Sequence, residues 1–76
     1  MDKIQEIDIH GMTVNEAISE LDYFMEYLSD DTVEVVVVHG YNQGKKLLQM
    51  VRNDFKHKRI KRKIVSMNPG ITIFLL

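Results

Sequence analysis

The chain has no cysteine, no tryptophan, one proline and four glycines in 76 residues. Without cysteine there is no disulfide scaffold and no thiolate-held zinc or iron–sulfur centre. The same absence fits a cytoplasmic location. No secretory leader is read at the amino terminus, because Lys3, Glu6 and Asp8 interrupt it. No apolar run approaches the ~20 residues that span a bilayer, so no membrane partner is expected. Low-complexity tracts and heptads are also missing. What remains is a chain that is 45% hydrophobic, enough for the small core of one domain over residues 1–76.

The net charge of −1 conceals two unlike halves. Residues 1–44 hold ten acids and one base, Lys3, whereas residues 45–76 hold nine bases and one acid, Asp54. A basic half of this density is an electrostatic footprint for nucleic acid or an acidic protein. It is equally what a solvated surface looks like when an acidic helix balances it, so charge alone does not decide.

The chain is organised around residues 35–46. Val35-Val36-Val37-Val38 reads as a strand buried on both faces of a sheet. His39-Gly40-Tyr41-Asn42-Gln43-Gly44 then reads as a tight loop, in which Gly40 and Gly44 can take positive φ. Lys45 and Lys46 open a helix. A strand, a glycine loop and a helix start leave backbone N–H groups that attract phosphate. Lysine in a first helical turn opposes the helix dipole, and an anionic ligand removes that conflict.

Around this stretch the other elements fall into place. Ile4–His10 reads as a strand with Ile7 and Ile9 on one face and Glu6, Asp8 and His10 on the other. Thr13 and Glu16 form a capping box for a helix to about Leu28, with Val14, Ala17, Ile18, Leu21, Phe24, Met25 and Leu28 as its apolar stripe. Lys45 to about Lys56 reads as a second helix, on which Lys45, Arg52 and Lys56 share an edge. Residues 57–63 read as a basic connection. Ile64–Met67 and Ile71–Leu76 read as strands joined by Asn68-Pro69-Gly70, placed for a type II turn. The order βαβαββ predicts an α/β two-layer sandwich on a four-stranded mixed sheet, with the first two strands parallel. His10-Gly11 and His39-Gly40 both close a strand and open a loop. If those strands are neighbours, two imidazoles, a carboxylate and a glycine loop meet at the carboxyl edge, where open α/β sheets bind ligands.

These residues resemble a known family. Ile7-Asp8-Ile9-His10-Gly11 is similar to its L-D-x-H-G signature, residues 39–44 to its H-G-x-G-x-G loop, and Gly70-Ile71-Thr72 to its closing G-[VI]-T strand. The family is the Smr (small MutS-related) domain, and the resemblance covers nearly the whole chain. It implies a fold similar to the C-terminal domain of translation initiation factor three. It also implies binding of DNA or RNA, endonuclease activity in many members, and action on ribosome-associated mRNA in some. Two positions depart from the pattern. Asn42 replaces the middle loop glycine, and Leu47 stands where the family often has arginine.

For the chemistry, His10 carries an imidazole, the side chain suited to proton transfer in phosphodiester cleavage, with Asp8 two residues away to orient it. His39 is either a second proton carrier or a loop donor to phosphate. The plainer alternative makes both histidines strand-end residues bonded to backbone. The resemblance favours a role for His10 and leaves His39 even. Gly11, Gly40, Tyr41, Asn42, Gln43, Gly44, Lys45, Lys46, Arg52 and Lys56 form the expected nucleic-acid-binding set, extended by Lys58, Arg59, Lys61, Arg62 and Lys63. No metal site is assigned, since Asp8, His10 and His39 supply at most three ligands. A magnesium or manganese requirement stays open. The alternatives to a nuclease are a non-catalytic module that docks on RNA, DNA or the ribosome, and a protein interaction domain.

Overall fold

The computed structural model describes residues 3–42 and 45–76. The elements are β1 (Ile4–Asp8), α1 (Val14–Glu26), β2 (Glu34–Val38), α2 (Lys46–Gln49) running on into a π-helical turn (Met50–Asp54), β3 (Arg62–Val65) and β4 (Ile71–Leu75). The sheet order is β1-β2-β4-β3. β1 and β2 are parallel, and β4 runs antiparallel to both β2 and β3. The expected βαβαββ mixed sheet is what forms. Among the described residues no helix is long and apolar enough to cross a membrane.

The capping box sets the start of α1: the Glu16 N–H donates to Thr13 Oγ1 and the Thr13 N–H donates to Glu16 Oε1. The stripe then buries Ala17, Leu21 and Met25 against Ile9, Val35, Val37 and Phe74 of the sheet. Met50, Val51 and Phe55 close the same core from the second helix. Both helices therefore cover one face of the sheet, which leaves the other face uncovered.

Four details differ from the sequence reading. The valine run is not buried on both faces. Val35 and Val37 face the helices and are buried, whereas Val36 and Val38 point to the uncovered face and are half-buried. The second helix is shorter than residues 45–56 and changes pitch, with Phe55 N–H donating to Met50 O. The wider turn stacks Phe55 above Met50 and Val51, so all three reach the core. β3 begins two residues earlier than Ile64, because Arg62 and Lys63 pair with Leu75 and Phe74 on an edge strand that tolerates charge. Finally, Gly70 has no positive φ, so residues 68–71 do not form a type II turn. Ile71 N–H donates to Asn68 O and Gly70 N–H to Asn68 Oδ1. What glycine provides at this position is a close approach of two segments. A Cβ on Gly70 would lie 3.3 Å from Gly40 Cα.

Candidate functional site

Because β1 and β2 are parallel, Asp8 and Val38 pair and both strands end at one edge. The chain turns there at Gly11 (φ 80°) and Gly40 (φ 82°), values an L side chain rarely adopts. His10 and His39 leave their strands beside these turns. They line one open cleft of about 900 Å³ with Gly11, Gly40, Tyr41, Asn42, Lys45 and Lys46. Gln43 and Gly44 lie outside the described residues. Thr13, Val14 and Asn15 at the start of α1 form the opposite wall. In the sequence Thr13 signals a helix cap, and that signal, coming right after His10-Gly11, puts the helix start beside the same strand end.

The two histidines have different surroundings. His10 is exposed, and its Nδ1 donates to Asp8 Oδ1 at 2.5 Å, while its backbone N–H donates to the same oxygen at 3.0 Å. These bonds hold the Asp8 carboxyl below the usual carboxylate range. With Nδ1 engaged, His10 Nε2 has no hydrogen bond among the described residues. His39 is 3% exposed, and both its ring nitrogens are engaged. Nδ1 donates to Gly40 O at 2.9 Å, which leaves Nε2 to accept from Thr72 Oγ1 at 2.8 Å. Burial, with a smaller effect from Arg52, pushes His39 below the usual imidazole range. The ring is a neutral anchor for the loop.

Arg52 does not stand on an exposed edge with Lys45 and Lys56. The π turn brings it to β4, where Nε donates to Thr72 Oγ1 at 2.9 Å and a terminal nitrogen donates to Ile71 O at 3.4 Å. Lys56 is exposed beyond the end of that turn. The expected basic extension is likewise divided. Arg59 donates to Leu28 O and Ser29 O at the end of α1. Lys63 donates to Arg52 O and Phe55 O, and burial lowers its pKa. Lys61 N–H bonds Leu75 O, beside the start of β2 and opposite the cleft. The basic residues of the cleft itself are Lys45, which lies 5.7 Å from the Tyr41 ring centroid, and Lys46. Among the described residues no three His, Asp or Glu side chains are gathered to hold a metal ion.

The Smr domain profile matches residues 7–70, most of the chain. The chain belongs to the Smr domain family. The Smr domain of Thermus thermophilus MutS2, solved as a crystal structure, superposes with a TM-score of 0.84 at 26% identity, covering 95% of this chain and 96% of that one. No curated protein matches the sequence. Smr domains generally bind nucleic acid, and some members are nucleases.

Proposed function

We propose that this Smr domain binds nucleic acid across the cleft and cleaves its phosphodiester backbone, with Asp8 and His10 as the proton-transfer pair. One observation carries the reading. His10 is held through Nδ1 by Asp8, so Nε2 carries the lone pair at the rim of a cleft flanked by Lys45 and Lys46. In this tautomer Nε2 takes a proton from an attacking hydroxyl, and the carboxylate stabilises the imidazolium that forms. The imidazolium then returns the proton to the leaving oxygen. Lys45 and Lys46 neutralise the phosphates on either side. His39 holds the loop and does not enter the proton path.

Binding without cleavage is the second reading. Leu47 favours it, because this apolar side chain lines the cleft where the family often carries arginine. One experiment separates the two. Single-stranded and duplex DNA and RNA are incubated with wild type, Asp8→Asn and His10→Ala, with and without chelator, and strand breaks and end chemistry are read. Cleavage by wild type that both variants lose supports the nuclease. Binding by all three with no cleavage leaves the binding module. Cleavage that survives in His10→Ala refutes the assigned role.

A further inference from the structure

The sheet face turned away from the helices is unusually apolar. Pairing register places Val36, Val38, Ile64, Ile71, Ile73 and Leu75 on it together. None of these belongs to the core cluster or packs against it. A contiguous aliphatic patch on an uncovered face marks an interface.

We propose that this face is covered by the same face of a second copy of the chain. The charge layout selects that occupant. Glu6 and Glu34 stand on the uncovered face on the β1–β2 side, and Arg62 stands on it at the β3 edge. A two-fold axis parallel to the strands lays β1 of one copy over β3 of the other. Acidic side then meets basic side at both ends of the contact, and the aliphatic centres meet each other. An axis across the strands would instead stack β1 on β1 and oppose like charges. Two sheets packed this way form an aligned sandwich about 10 Å thick. Four strands of about five residues give a footprint of roughly 19 by 17 Å. That is small for a permanent interface, so the dimer is weak and concentration-dependent. The axis leaves both clefts at the same end of the assembly. The proposal does not depend on what the cleft binds.

Sedimentation velocity from about 1 µM to about 1 mM protein covers the range in which small interfaces associate. Wild type should pass from monomer to dimer. Ile73→Glu, with its fold checked by circular dichroism, should stay monomeric. Glu34→Arg and Arg62→Glu each reverse one charge of the row they share with Leu75, the level that the two-fold axis brings together, and both keep the core intact. Each alone should weaken association about fivefold to tenfold, because the pair occurs twice by symmetry. Combined, they should restore it to within about threefold. A wild type that stays monomeric throughout overturns the proposal. So does a folded Ile73→Glu that still dimerises, or a double reversal as weak as the singles. If Ile73→Glu does not fold, the charge reversals decide alone.

Discussion

Replacing Thr72 by Val removes a single hydroxyl from the interior while keeping the β-branched shape. Thr72 is fully buried, and its Oγ1 both donates to His39 Nε2 at 2.8 Å and accepts from Arg52 Nε at 2.9 Å. In the variant His39 Nε2 is left buried without a partner, which costs about 1–3 kcal/mol. Arg52 is half-buried and regains water for part of its loss, so its contribution is about 1 kcal/mol. The total is about 2–4 kcal/mol, with no cavity to add. At ~4–8 °C per kcal/mol for a domain of this size, the melting temperature should fall by roughly 8–32 °C. Urea unfolding followed by circular dichroism gives the same quantity independently. In a double-mutant cycle with His39→Leu, the two losses should be sub-additive by about 1–2 kcal/mol. A loss under about 0.5 kcal/mol in Thr72→Val, or full additivity, would refute the hydrogen-bond chain as a structural element.

Three further outcomes are expected. His39 titrates below its unfolded value, so as pH falls below about 6.5 the unfolded chain binds a proton the native chain refuses. Wild-type stability should therefore fall with pH below that point by up to ~1.4 kcal/mol per unit, and His39→Gln should lack this component in urea titrations across pH. In salt titrations of nucleic-acid affinity, Lys45→Ala with Lys46→Ala should flatten the slope of log affinity against log salt by about two, whereas His10→Ala should leave the slope unchanged and lower any cleavage at least ~100-fold. Gly70→Ala forces a methyl to 3.3 Å from Gly40 Cα, so it should destabilise the domain by about 1–3 kcal/mol in thermal unfolding and weaken binding at the cleft.

The element order and the meeting of His10 with His39 were legible because they follow from strong local signals. The capping box, the helical stripe and the two His-Gly strand ends each point to one local structure, and the handedness rule for βαβ crossovers then joins them. What was not legible depends on contacts made at long range. Nothing between Lys45 and Lys56 announces a π turn, since the change of pitch answers to how Phe55 packs on Phe74. Arg52, Arg59 and Lys63 look like free charges in the sequence, yet each is drawn to backbone carbonyls of another segment. Their count overstates the number of cations free to meet a phosphate. The same blindness hid the role of His39: its spacing matches that of His10, and only the arrival of Thr72 from 33 residues away makes it a buried neutral group. In the sequence Gly70 signals only a turn, whereas in the fold it leaves room for Gly40.

One carbonyl has consequences for how the cleft comes into being. Gly70 O accepts from both the His39 and the Gly40 amides, at 2.9 and 3.0 Å. The loop that follows β2 is thus held by an acceptor that arrives near the end of the chain. A ribosome must have released residues beyond Gly70 before these two bonds can form, so a nascent chain carrying only the first βαβ unit lacks the acceptor that holds His39 and Gly40. The same bond sets when the loop opens again. Both amides should exchange with deuterium only when β4 leaves the sheet, at the rate of global unfolding, although they stand within two residues of exposed Tyr41.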